Sequence, residues 1–275
     1  MAVDKQYASD VEAILSHRYD NGADLFTTPD KRLLKGAPFS TLESVLYLLE
    51  LGMESTDPLL KETAELIFST WREDGRFKLS PQGAIYPCHT VHAAEVLCRL
   101  GHASDARLQK TFEHLLDIQH TDGGWRCSKF SFGRGPETEF SNPLPTLTAL
   151  SGFRFSSYIN NEPALDRAVD FLLEHWTIKK PIGPCHYGIG TLFMQIEYPF
   201  RNYNLFVYVY VLSFYDRAKE DRRFLEALES KMTDGQIVVE RVVPKLAGLS
   251  FCKKGKPSEL ATIRYHEIIK NLGRS

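Results

Sequence analysis

Apolar positions recur with a helical period along most of this chain. Leu108, Phe112, Leu115 and Leu116 make one apolar stripe with charged residues opposite, the pattern of a helix with one face on a core. Residues 42–51 and 91–100 are apolar around more of their circumference and read as inner helices. On this basis outer helices are predicted near 5–17, 57–71, 104–119, 162–176 and 220–232, and inner helices near 38–52, 87–101, 143–153, 199–216 and 257–272. The main departure is 236–243, Gln-Ile-Val-Val-Glu-Arg-Val-Val, which predicts a strand ended by Pro244.

The pattern also repeats. Trp71-x-x-Asp-Gly75-x-Phe77 aligns with Gln119-x-x-Asp-Gly123-x-Trp125 at an offset of 48 residues, and Lys231-Met-Thr-Asp234-Gly235-Gln-Ile237 is a weaker third copy. The inner helices start alike: Pro38-x-x-Thr41, Pro87-x-x-Thr90 and, shifted slightly, Pro143-x-Pro-Thr146. A proline in the first helical turn loses no hydrogen bond. These helices are expected to end at Gly52, Gly101 and Gly152, a residue that readily adopts a positive φ. Thr56-Asp57-Pro58, Ser104-Asp105, Asn161-Glu162-Pro163 and Glu220-Asp221 are N-terminal signals for the outer helices. About five helical hairpins result. Hairpins that bury their apolar faces only against neighbours form an open solenoid or close into a ring; inner helices apolar on both sides favour an all-α, α/α toroid. No linker divides the chain, so 1–275 is expected to form a single domain.

Composition narrows the function class. Of 275 residues 43% are hydrophobic, enough for a large core, and the formal net charge of −2 advertises neither nucleic acid nor an anionic membrane. No apolar run approaches the roughly 20 residues that span a bilayer, and the first residues do not resemble a signal peptide. Five widely spaced cysteines argue against a disulfide framework. A soluble, reduced, cytoplasmic protein is expected.

The Gln119-x-x-x-Gly123-x-Trp125 motif after an outer helix resembles the glutamine–tryptophan repeat of squalene and oxidosqualene cyclases. The Pro-x-x-Thr helix starts resemble those of the wider prenyltransferase/squalene-cyclase repeat superfamily, whose members fold as α/α toroids. The resemblance covers most of 37–235 and implies a small, single-toroid member. It implies an isoprenoid or other apolar substrate in a central cavity, handled by a transferase or lyase. The Asp-x-Asp-Asp acid of hopene-type cyclases and the Asp-Asp-x-x-Asp magnesium motif of ionising terpene synthases have no match here. Another branch, the β subunits of protein prenyltransferases, holds zinc near inner-helix starts with Asp, Cys and His.

Cysteine and histidine supply candidate ligands. Pro87-Cys88-His89 recurs as Pro184-Cys185-His186, and Cys127 follows the Gly-Gly-Trp turn. Cys88, Cys127, Cys185 and His186 are the candidate zinc set, because turns and first helical turns favour the thiolate that binds metal. The competing reading is that these cysteines are small buried hydrophobes, as Cys98 and Cys252 are expected to be.

The stretch from Tyr198 to Tyr215 carries eight aromatic residues in eighteen. Either its rings fill a core, or Tyr203, Phe206 and Tyr210 line a pocket that takes an apolar chain or steadies a cation. In the second case Arg201 and Asn202 sit at the mouth, and Tyr203, Arg201 and His92 are the candidate catalytic groups. Glu197 beside Arg201 reads as a surface ion pair. Gly188-Ile-Gly190-Thr lacks the remaining Gly and the Lys of a phosphate loop; a diphosphate would meet Arg126, Lys129 and Arg134, or Lys179 and Lys180. Two alternatives accompany the enzyme reading: a non-catalytic toroid binding a lipid or protein, with structural zinc or none, and a polysaccharide lyase or hydrolase. The latter wants a Tyr/His or two-carboxylate pair, for which Glu139 and Glu197 are the poor candidates.

Overall fold

In the computed structural model, residues 5–127 and 134–273 are described, and they are mostly helical. Ten α-helices occur among them: α1 Ala8–Leu15, α2 Thr41–Glu50, α3 Pro58–Phe68, α4 Pro87–Leu97, α5 Ala106–Asp117, α6 Pro143–Phe153, α7 Pro163–Ile178, α8 Leu205–Leu212, α9 Arg223–Glu229 and α10 Glu259–Asn271. The chain divides into two compact units, residues 1–117 with 248–251 and residues 118–247 with 252–275.

The predicted start signals hold because they are local. Ser40 Oγ accepts from Glu43 N while donating to the Glu43 carboxylate at 2.9 Å, a reciprocal cap on α2. Asp57 accepts from Leu59 N at 2.9 Å, Glu162 from Ala164 N at 3.0 Å, Asp105 from Arg107 N at 2.8 Å and Asp221 from Arg223 N at 3.1 Å. Gly52 and Gly101 take φ of 88° and 92° where the inner helices end, α4 running on first through a π-turn at Cys98–His102. Gly152 differs: it is an ordinary helical residue, and α6 continues to Phe153.

In the first unit α2 packs against α1, α3 and α4, and α4 against α5. Asp10, buried on α1, accepts from Ser250 N and Oγ and from Phe251 N, and so holds the 248–251 segment. In the second unit α6 packs on α7 and α8, and α8 on α9 and α10. Burial separates the two helix types in the second unit, where nine of eleven residues are buried in α6 and seven of eight in α8, but not in the first, where outer α3 and inner α4 each bury six of eleven. The predicted inner helix α10 buries only Ala261, Thr262 and Ile268, because it packs on α8 and the β2 strand from one side. The predicted strand shrinks to β2 Gln236–Ile237, paired antiparallel with β1 Met232–Thr233 across the Asp234-Gly235 turn. Val238 and Arg241 form isolated bridges with Pro257 and Glu197, so the stretch is extended without a neighbouring strand to complete a ladder.

One hydrogen bond recurs at every copy of the turn. Phe77 N donates to Thr90 Oγ1 (3.2 Å), Trp125 N to Thr146 Oγ1 (3.0 Å) and Ile237 N to Thr262 Oγ1 (3.0 Å). Each threonine lies in the first turn of α4, α6 or α10, which in α4 and α6 explains the Pro-x-x-Thr spacing: the hydroxyl satisfies a buried N–H two residues after the turn glycine.

Candidate functional site

The second unit holds the best-formed candidate site, and it is built on the Gln119–Trp125 turn. Gln119 Nε2 donates to Gly123 O (2.6 Å) and Ala164 O (2.7 Å), while its Oε1 accepts from Arg167 Nη2 (2.9 Å). These bonds lash the turn to α7. Gly123 has a φ of 92°, and a Cβ there would run into the Arg167 carbonyl. Trp125 is fully buried and stacks on Phe153 with centroids 5.9 Å apart. Burial by itself would raise the Asp122 carboxyl; hydrogen bonds from Ser141 Oγ and N, Gly124 N and His120 together hold it below the usual carboxylate range.

Beside this turn a groove of about 360 Å³ runs along α7. Phe171, His175 and Ile182 form its buried lining, and Arg167, Asp170, Glu174, Ile178, Thr121, Asp122 and Phe140 its more open part. Phe140 is 40% exposed, an unusual position for a phenylalanine. Three carboxylates and one guanidinium give the groove an acidic lining over an apolar base; Asp170 also pairs with Arg217 at 2.7 Å. His175 has no solvent exposure. Burial drops its pKa to about 4, so it is a neutral imidazole, with Nε2 bonded to Lys180 O (3.1 Å) and Nδ1 to the Tyr203 hydroxyl (2.9 Å). Since Lys180 O can only accept, Nε2 carries the proton and Tyr203 donates to Nδ1. Burial raises the Tyr203 pKa well above normal and keeps that proton in place.

The aromatic stretch is largely a core. Tyr203, Phe206 and Tyr210 are buried, but their rings do not share one cluster. Tyr203 packs with His175, Tyr187, Phe193 and Tyr208, whereas Phe206 and Tyr210 pack on Phe200. Tyr210 donates to Glu267 (2.9 Å) and accepts from Arg154 (3.1 Å). Helix α8 is shorter than the predicted 199–216 because Asn204 caps it, accepting from Phe206 N and Val207 N. Tyr203, Arg201 and Asn202 therefore precede the helix. Glu197, expected at the surface, is 1% exposed. Burial raises its pKa against the opposing pull of Arg241 at 3.4 Å, the Asn202 amide bond of 2.6 Å and Arg201. The burial comes from the 240–241 segment, since Ile196 O accepts from Glu240 N and Arg241 N.

Cys88 and His92 lie on α4 of the first unit, both half-buried; Cys127, Cys185 and His186 lie in the second. Two of the latter meet. The thiols of Cys127 and Cys185 are in hydrogen-bond contact, and burial together with the neighbouring sulfur pushes the Cys185 thiol up to about 11. Asn142 joins them: its side chain accepts from Cys185 N (3.2 Å) and donates to Cys185 Sγ (3.4 Å), and its N–H donates to Trp125 O (3.0 Å). The His186 ring is 3.6 Å from the Glu137 carboxylate. Among the described residues no three His, Cys, Asp or Glu side chains form a group that could hold a metal ion. For a diphosphate, Arg126 reaches Thr138 O (2.9 Å) and Glu139 (3.7 Å), and Lys129 lies outside the described residues.

Sequence reasoning passed over His175, Asn142 and the groove. His175 continues the α7 stripe four residues after Phe171 and so did not stand out from its helix; Asn142 read only as a helix start. No helix among the described residues is long and apolar enough to cross a membrane. No protein-family model and no curated protein matches the chain.

Proposed function

We propose that this chain is an α/α-toroid protein of the type seen in prenyltransferases and squalene cyclases, and that it binds an apolar or amphipathic small molecule in the groove along α7. The thrice-repeated N–H to threonine bond and, in the second unit, the heavily buried α6 and α8 support the toroid. So does the Asp10 tie between α1 and Ser250 near the other end of the chain. The observation that carries the binding reading is the apolar base of the groove with Phe140 exposed at it. Its size suits a small ligand, since such pockets run from about 300 Å³ upward. Three carboxylates to one guanidinium favour a cationic over an anionic head group.

Farnesylamine, farnesol and farnesyl diphosphate carry one chain with three head groups and test both halves of this reading by calorimetric titration. The amine is expected to bind tightest and the diphosphate weakest, and Ile178→Asn is expected to weaken the amine at least about tenfold, roughly 1.4 kcal/mol. Tightest binding of the diphosphate, or affinity unchanged by Ile178→Asn, would overturn it.

A second reading, a zinc-dependent enzyme acting on an isoprenoid, is favoured by the meeting of Cys127 with Cys185. These two thiols supply half of a tetrahedral zinc shell. Stoichiometric zinc in purified protein that is lost in Cys185→Ala, together with turnover of farnesyl diphosphate, is what this reading requires.

A further inference from the structure

Cys127 and Cys185 are 58 residues apart in the chain, yet Asn142 ties both neighbourhoods, its side chain holding Cys185 and its backbone N–H holding the Trp125 carbonyl two residues before Cys127. Cys127 follows a turn whose Trp125 N–H is bonded to Thr146 and whose Trp125 carbonyl is bonded to Asn142 N. Cys185 sits in a tight reversal in which Ile182 and Tyr187 exchange both backbone bonds (3.0 and 3.1 Å). Gly183, at a φ of 75°, lets that reversal press against Asn142 and the Ser141 carbonyl. The Asn142 amide then holds Cys185 at both N and Sγ. The thiols touch as a consequence of backbone that is fixed on either side. Cys185 is half-buried and within reach of a small reagent; Cys127 is buried, 4% exposed.

We propose that Cys127 and Cys185 are a redox pair that closes into an intramolecular disulfide by exchange with a low-molecular-weight disulfide such as oxidised glutathione. Cys185 gives up its proton and, as the thiolate, attacks one sulfur of the reagent, forming a mixed disulfide and releasing one molecule of the small thiol. Because burial and the neighbouring sulfur push this thiol up to about 11, the step quickens as pH rises. The Cys127 thiolate then attacks the Cys185 sulfur, forming the protein disulfide and releasing the second. The two cysteines lose two electrons, the reagent gains them, and the two thiol protons end on the released small thiols. The product bridges the Gly-Gly-Trp turn to the 182–187 reversal, next to Phe140 and Ile182 of the groove. The pairing needs neither zinc nor a groove ligand, so it stands apart from both readings above.

The test uses the full chain, treated with a chelator and dialysed, then incubated with oxidised glutathione, quenched with an alkylating reagent and digested. The expected product is a protein lighter by about 2 Da, with one cross-linked peptide pair containing Cys127 and Cys185, reversed by reduced glutathione. Its Tm should rise above that of the reduced form, because a closed 58-residue loop restricts the unfolded chain. Cys127→Ser should stop at a stable glutathione adduct on Cys185, while Cys185→Ser should give neither cross-link nor adduct at Cys127. Alkylation of both cysteines after incubation would overturn the proposal, as would a cross-link to Cys88, Cys98 or Cys252. So would a glutathione adduct on Cys185 in the unmutated protein that does not resolve. Circular dichroism of each variant, and the zinc content measured separately, keep a folding failure or a failed zinc reading from being mistaken for any of these.

Discussion

The Gly75 turn of the first unit and the Gly123 turn of the second are the same device built with different first residues. In both, a glycine at positive φ presses on the backbone of an outer helix: Gly75 on Lys110 O of α5, where a Cβ would lie at 2.7 Å, and Gly123 on Arg167 O of α7. In both, the aromatic two residues on is buried with its N–H on a threonine. The leading residue differs. Trp71 makes one bond to its outer helix, Nε1 to Thr111 Oγ1 at 3.2 Å, whereas Gln119 makes two to that helix and one within its own turn. The surroundings differ as well. The first turn borders an open, charged pocket of about 680 Å³ with Arg72, Asp74, Arg76 and Lys78, the second an apolar-based groove and a thiol pair. The frame is thus separable from what it carries. The third copy marks the limit: Gly235 has the same positive φ, 73°, but nothing within 4 Å of where a Cβ would be.

That ordering can be broken by alanine. Gly123→Ala has both a left-handed backbone and a rigid carbonyl to contend with, and a loss of about 3 kcal/mol is expected in urea unfolding. Gly75→Ala should cost about 2 kcal/mol and Gly235→Ala only about 1, from conformation alone; equal losses at all three would show that close packing on the outer helix is not what distinguishes them. Burial lowers the pKa of a histidine on each outer helix, His114 on α5 and His175 on α7, and of the two His175 is the one fully buried. The His175 pKa of about 4 lies below the 6.5 of an ordinary imidazole. Its contribution is therefore intact above pH 6.5 and is lost as pH falls toward 4, on the order of 3 kcal/mol in all. Hydrogen exchange should show α7 losing protection across that window before α5 does. Next in size is Gln119→Ala, expected to cost about 2 kcal/mol against about 1 for Trp71→Phe, judged on the hydrogen-bond term alone after correcting for side-chain volume. Smallest are Thr90→Val, Thr146→Val and Thr262→Val, each leaving one buried N–H without an acceptor and each expected to cost about 1–2 kcal/mol. Thr262→Val being neutral would separate the β1–β2 copy from the other two.

The readable parts of this molecule are those whose cause lies within a few residues. Asp57-Pro58, Glu162-Pro163, Asp105 and Asp221 cap the helices they were expected to cap, because a side chain two residues from an N–H reaches it in any context. The Asp-Gly-x-aromatic copies were recognisable for the same reason. The outline of α8 was not, since a run of apolar aromatics has no internal stop and Asn204 read as one polar residue among many. Glu197 looked like a surface residue beside Arg201; it is buried by the 240–241 segment, over forty residues away, which no local pattern announces. The Pro-Cys-His repeat singled out Cys185 as one candidate zinc ligand with Cys88, Cys127 and His186, and the thiol it meets is that of Cys127. The repeat could not say that Asn142, met as a helix start, is the group that joins them.

The side-chain caps at helix starts and the repeated turn follow from the order of residues alone, because steric limits on φ and the pairing of neighbouring N–H and carbonyl groups act over one or two turns. Which thiols touch, which carboxylate is driven out of water and where a groove opens are decided only when separate segments pack. Desolvation and side-chain contact depend on what arrives from elsewhere in the chain, and the pKa of His175, the burial of Glu197 and the Cys127–Cys185 contact are all set by such arrivals.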